Sequence, residues 1–490
     1  MLRRHPILFA MTVFAILICG VAAHRSYRHF QRQALTRPGL KNQYVETEQN
    51  LPAWIMRYGL QDWIPSSSYQ DAVRISSNSD EHLATIASNF DLSRVRIIYL
   101  SGAEITDASV PLLNSCPAVS QLFLHNTGIS ATGYMQLNLP TDIHEIRFWG
   151  SDLPDDFFKD TNQFAKLSRV SFLYCDVTDE IIQQVSQLPQ LVDFCLRDCP
   201  QVTNRGLSAF SDRSNIETFD VRSPNIDQEV LKSLPIGSEM KLLRLDTANQ
   251  SSMPVETFER LSNARKLYFL DLSGVAVDGN NPARILDQSS RSTLVLNDIH
   301  PGKEFCKAWI NSEVGYLGLS ADHLMPESIV HLNQLDLKSR KSLALHIRGT
   351  QSDTPNYEHL TELTALNWLV FENVELQDAH VELIHNSGVR RIRMGNVALN
   401  DARLSWLKDF DQLDQLHLID ISLSPSDFKA FQHCRIDGLL LINCDVSDES
   451  LEVIKNMPYP PKYIRIRGNP HSSVALRNLI DAFPDTRIDF

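Results

Sequence analysis

A period of about 24 residues constrains this chain more than any other feature. Between Val95 and Ile466 an apolar-x-x-apolar-x-apolar run, a turn and a short amphipathic stretch recur about sixteen times. The run reads most plainly at Val95-Ile98-Leu100, Val119-Leu122-Leu124, Ile143-Ile146-Phe148, Leu167-Val170-Phe172 and Leu191-Phe194-Leu196, each starting 24 residues after the last. Leu366-Leu369-Phe371, Val389-Ile392-Met394, Leu413-Leu416-Leu418 and Ile436-Leu439-Leu441 keep the register near the far end.

One unit shows why the units must stack. Along Leu191-Val192-Asp193-Phe194-Cys195-Leu196-Arg197, Phe194 and Leu196 point to one face of a strand while Cys195 and Arg197 point to the other. After the turn, Thr203 is placed to cap a helix whose apolar positions, Leu207 and Phe210, fall at i and i+3. The same start recurs as Thr106-Asp107, Thr178-Asp179, Asn400-Asp401 and Ser447-Asp448, with an acid in the first turn where the helix dipole favours it. A single unit cannot bury both its strand face and its helix face, so neighbours stack into a parallel sheet with helices on the other side.

This pattern resembles the leucine-rich repeat family. Three copies, Phe172 to Asp179, Leu196 to Thr203 and Leu441 to Asp448, carry its cysteine-containing form, with Cys175, Cys199 and Cys444 at the turn after the strand. A Trp-containing segment ahead of the repeats, with Trp54 and Trp63, is similar to that of membrane-anchored bacterial members. The resemblance covers roughly residues 70 to 490 and implies an α/β solenoid: a curved parallel sheet on the concave face and short helices on the convex face. It also implies a binding function with varied partners. No F-box-like segment precedes the repeats, and Asp246-Thr247-Ala248-Asn249 and Gly395-Asn396-Val397-Ala398 depart from the pattern after the strand.

Residues 6–23 form an apolar run preceded by Arg3 and Arg4. Its 18 residues exceed the ~7–15 of a secretory h-region and just suffice to span a bilayer, which favours an uncleaved signal anchor. Val21-Ala22-Ala23 also meets the small-residue rule for cleavage, so both readings stand. The expectation is a single-pass membrane protein with the array outside the cytoplasm. The short basic tail favours that orientation, while Arg25, Arg28, Arg32, Arg37 and Lys41 favour the cytoplasmic face and keep it open. The predicted organisation is an anchor at 1–23, a basic stem at 24–50, a cap with a degenerate first repeat at 51–94, and the array with a C-terminal cap at 95–490.

Residues 42–490 hold 39 Lys and Arg against 59 Asp and Glu, a formal charge of −20. Phosphate neutralisation along a nucleic acid needs the opposite balance, so no nucleic-acid partner is expected. The eight cysteines show no paired clusters flanking the array. Cys175, Cys199 and Cys444 read as structural turn residues, and Cys195 faces away from Cys175 and Cys199, which removes the one zinc-like spacing. Gly-rich phosphate loops, G-x-S-x-G and H-E-x-x-H are absent, and His380 and His385 are wrongly spaced for one helix face. The sequence therefore predicts no enzyme, cofactor or metal.

Candidate contact residues are those that alternate strand positions carry onto the inner sheet face. Tyr99, Phe123, His125, Arg147 and Trp149 form one patch of aromatics with an arginine, the residue types that anchor protein interfaces. Trp368, Arg390, Arg391, Arg393 and His417 form a second, basic patch suited to a carboxylate or phosphate, with Glu372 nearby as a neutralising group. The sequence predicts a non-catalytic protein that binds another protein through its concave face. The alternative is a carbohydrate or cell-envelope polymer stacked on the aromatics.

Overall fold

A computed structural model of the chain describes residues 44–49, 70–227, 229–247, 255–276, 286, 293–297, 301–321, 324–335, 341–348, 357–399, 404–467, 469 and 473–489. Two compact units divide it, Met1–Leu167 and Ser168–Phe490.

The first unit contains strands β1 (Tyr44–Gln49), β2 (Gln70–Ser79), β3 (Ile97–Glu104), β4 (Gln121–His125) and β5 (Glu145–Trp149). β2 to β5 pair in parallel, and β1 closes the edge by running antiparallel to β2. The sequence reading placed residues 44–49 in the basic stem. Tyr44, Val45 and Thr47 are strand-favouring residues, and that propensity makes the segment an edge strand instead. Ile98, Leu100, Leu122, Leu124, Ile146 and Phe148 are buried on the core face, as the period requires.

The second unit contains β6 (Arg169–Leu173), β7 (Asp193–Arg197), β8 (Thr218–Ser223), β9 (Leu242–Thr247), β10 (Phe269–Ala276), β11 (Thr293–Asn297) and β12 (Tyr316–Ser320). It continues with β13 (Ser342–Arg348), β14 (Leu366–Glu372), β15 (Arg391–Gly395), β16 (Gln412–Ile419), β17 (Arg435–Ile442), β18 (Tyr463–Arg467) and β19 (Arg487–Asp489). Each pairs in parallel with its sequence neighbour, so that Cys195, Asp220 and Arg244 stand side by side, as do Trp368, Arg391 and Gln415.

A left-handed residue follows many strands: Asn126, Tyr174, Asp198, Asn373, Asn396, Asp420 and Asn443 all have φ between 48° and 55°. Asn and Asp tolerate this conformation best, which explains their recurrence at the position. It aims the backbone N–H along the stack: Asn126 donates to Trp149 O, Asp198 to Arg222 O and Asn396 to Ile419 O, at 2.7–2.9 Å. Strand, left-handed turn and short helix, repeated in parallel register, make the architecture a leucine-rich repeat solenoid of the α/β class.

The helices of this stack are short because each spans one repeat; Asp80–Asn89 and Ser473–Ala482 have ten residues each. A bilayer needs about 20. No helix among the described residues is long and apolar enough to cross a membrane, and this corrects the expectation of a single-pass, signal-anchored membrane protein. The apolar run at 6–23 lies outside the described residues, as do the stem at 24–43, Trp54 and Trp63 of the cap, and Asn400 and Asp401.

Candidate functional site

In the first unit, register places Tyr99, Phe123 and Arg147 in one row across β3 to β5, and His125 beside Trp149 in the next. Their neighbours along each strand point into the core, so these side chains stand on the other sheet face. Tyr99, Phe123, His125 and Trp149 are half-buried, whereas the Arg147 side chain is 56% exposed. The Tyr99 and Phe123 rings lie 6.3 Å apart, and the Arg147 guanidinium covers the Phe123 ring at 5.3 Å. Arg147 is fixed there by Glu145, whose Oε1 accepts from its Nε at 2.7 Å, while Gln121 donates to Glu145 Oε2 at 3.1 Å. His125 meets Trp149 edge-on at 4.6 Å, and burial lowers its pKa. The five predicted residues form one contiguous patch.

The second unit holds a cavity of about 330 Å³ on its inner sheet face. Five arginines (197, 222, 244, 348 and 393) and three carboxylates (Asp246, Asp271 and Glu372) line it, with Tyr316, Trp368, His346 and His417 among the rings. Arg197 and Arg244 share Asp220, and Arg244 reaches on to Asp271 at 3.1 Å. Arg348 bridges Asp246 and Glu372 at 3.0 Å each. Strands β9 and β13, which carry Asp246 and Arg348, are four apart and would be roughly 19 Å apart in a flat sheet. That exceeds the reach of the two side chains, so within this unit the sheet bends until residues of its inner face meet.

The electrostatics follow from this convergence. Burial raises the Glu372 carboxyl, yet Arg348 and its other cationic neighbours outweigh burial and hold it at about 2. Burial, aided by Arg348, holds His346 at about 4; burial, with Arg393 and Arg465, does the same to His417. For Asp246 burial prevails over Arg348 and Arg222, and its pKa is raised. Arg393 lies 3.8 Å from Glu372, and Arg222 lies 3.6 Å from Asp246 and 3.8 Å from Asp198, all beyond hydrogen-bond length.

Of the second predicted patch, Trp368, Arg393 and His417 line this cavity. Arg391 instead lies over the Trp368 ring at 5.8 Å and 3.8 Å from Asp414. Arg390 precedes β15, next to buried Val389, and is exposed outside the cavity. Cys175, Cys199 and Cys444 are buried, and each thiol donates to a strand-end carbonyl, Leu173, Arg197 and Ile442, at 3.2–3.3 Å. Burial pushes the Cys444 thiol up to about 12, so it stays protonated.

Sequence reading missed Arg222, Arg348, Tyr316 and His346. A signal was present: alternation lapses into near-continuous apolar runs in Tyr316-Leu317-Gly318-Leu319 and Leu343-Ala344-Leu345, the mark of a strand buried on both faces.

No family model matches the chain, and no curated protein matches it. Among solved structures, a leucine-rich repeat protein of Leptospira interrogans is 13% identical, with 77% of this chain and 91% of that one covered and a TM-score of 0.30. An internalin of Listeria monocytogenes is 19% identical over 67% and 82% of the chains, with a TM-score of 0.27. The leucine-rich repeat ectodomain of an Arabidopsis thaliana membrane receptor kinase, solved in complex with Casparian strip integrity factor 2, is 15% identical over 90% and 62%, with a TM-score of 0.34.

Proposed function

We propose that this chain is a non-catalytic repeat scaffold that binds another protein through the inner sheet face of its first unit. The observation that carries this reading is the contiguous patch of Tyr99, Phe123, Arg147, His125 and Trp149, half-buried rings around a fixed, exposed guanidinium. Aromatic and arginine side chains give large contact area at small entropic cost and dominate protein interfaces. The carbohydrate alternative fits less well. A sugar needs a free ring face, whereas Arg147 covers Phe123 and the edge of one ring meets the other in the His125–Trp149 pair.

The test is a Phe123→Ala, Trp149→Ala double variant of the full chain. Two anchor truncations should each weaken partner binding roughly thirtyfold or more, so a protein that co-purifies with the parent is lost while the thermal midpoint shifts little. Unchanged co-purification refutes the proposal, and loss of binding on a glycan array instead selects the carbohydrate reading.

A further inference from the structure

We infer that the arginine-lined cavity of the second unit binds a small phosphate monoester carrying a ring. The inference is independent of the protein-binding patch, which belongs to the first unit. Its basis is a mismatch between the charges that converge and the bonds they make. Asp220 and Asp271 are matched by Arg197 and Arg244, and Asp246 and Glu372 both engage Arg348. Arg222 and Arg393 are ion-paired only at longer range and without a hydrogen bond, Arg222 with Asp246 and Asp198 and Arg393 with Glu372, at 3.6–3.8 Å.

Two neighbouring groups are also incompletely used. His346 is 9% exposed, and its Nε2 shares a 3.3 Å hydrogen bond with Tyr316 Oη. Its Nδ1 has no hydrogen-bond partner among the described residues, and neither does Arg348 Nε. Buried polar atoms are normally satisfied, and these two, in residues of the cavity wall but sealed from the cavity itself, leave that wall short of hydrogen-bond partners. The local field agrees with an anion at Glu372, whose carboxyl the neighbouring guanidinium groups hold low against burial, whereas His346 and His417 are lowered first by burial and only then by guanidinium groups.

The chemistry narrows the class further. A planar carboxylate is satisfied by one arginine fork in its own plane. Arg222 and Arg393 come from β8 and β15, so their forks approach from different directions, which suits the several oxygens of a tetrahedral phosphate. Trp368, Val370 and Phe269 supply apolar wall for a ring, and 330 Å³ lies at the lower end of small-molecule sites.

The experiment is calorimetric titration of the full chain at low salt with adenosine monophosphate, glucose 6-phosphate, inorganic phosphate and succinate, beside Arg222→Gln and Arg393→Gln variants. Saturable one-to-one binding of a ring phosphate is expected, weakened roughly ten- to hundredfold by either substitution. Preference for adenosine monophosphate identifies an aromatic ring as the second element, and preference for glucose 6-phosphate a sugar. Arg393 is 45% exposed, so its replacement leaves the core intact and keeps the test valid if Arg222→Gln misfolds. No binding at millimolar concentration, equal binding of succinate, or affinity unchanged in Arg393→Gln would overturn the inference.

Discussion

His346 concentrates the physical chemistry of the cavity wall in one side chain. Its ring lies where a side chain at 318 would stand, since a β-carbon on Gly318 would meet His346 Nε2 at 2.7 Å. Burial holds its pKa at about 4, against 6.5 for a free imidazole. Above pH 6.5 folded and unfolded chains are both neutral at this site. As pH falls from 6.5 toward 4 the unfolded chain takes up a proton that the folded chain refuses, so stability declines, and below 4 the decline stops. The full difference is about 3 kcal/mol. Glu372, held at about 2, stabilises the fold fully above about 4.5, its ordinary value, and loses that contribution as pH falls through 2, so it is silent between pH 5 and 6.5. Urea midpoints measured across pH 5–7.5 should drop on acidification in the parent and drop less in His346→Gln. An identical slope in both proteins contradicts a buried neutral imidazole.

At the scale of the repeat, the acid at the start of three helices, Asp80, Asp107 and Asp179, does more than the sequence reading assigned to it. The dipole argument places Asp179 in the first turn of its own helix, but its carboxylate also holds the next one: Oδ1 accepts from Thr203 N at 2.8 Å and Oδ2 from Thr203 Oγ1 at 2.6 Å. Asp107 holds Ser130 in the same way, at 2.8 and 2.7 Å, and Asp80 holds Thr106 at 3.0 and 2.5 Å. Gly206 makes room for this link, since a β-carbon there would lie 2.5 Å from Asp179 Oδ1. Thr203 and Asp179 were both legible as members of a 24-residue register. The bond between them was not, because periodicity gives positions and leaves open which donor a carboxylate chooses. Asp179→Ala should cost about 2 kcal/mol in urea unfolding by stranding the Thr203 donors, with Asp179→Asn costing less. Gly206→Ala should also destabilise, although alanine is the better helix former by about 1 kcal/mol. A stabilised Gly206→Ala protein would show that the inter-repeat link is dispensable.

For the molecule as a whole, the sequence carried whatever depends on neighbouring repeats. Stacking turns a 24-residue offset into an adjacent strand, so Tyr99, Phe123 and Arg147 could be placed side by side from spacing alone. The cavity depends on curvature, which brings Asp246 to Arg348 across four strands, and no nearest-neighbour rule contains that contact. Arg390 stays outside the cavity for a local reason: it precedes β15, which begins at Arg391, so strand alternation does not carry it onto the inner face. The central claim is that the inner sheet face of the first unit, and not its helix side, meets a partner protein. A photo-crosslinking residue placed singly at Tyr99, Phe123 or the exposed helix residue Met135 tests it most directly. One protein adduct of constant added mass from positions 99 and 123, with none from 135, is the predicted result, and adducts from 135 alone or from all three positions alike would contradict it.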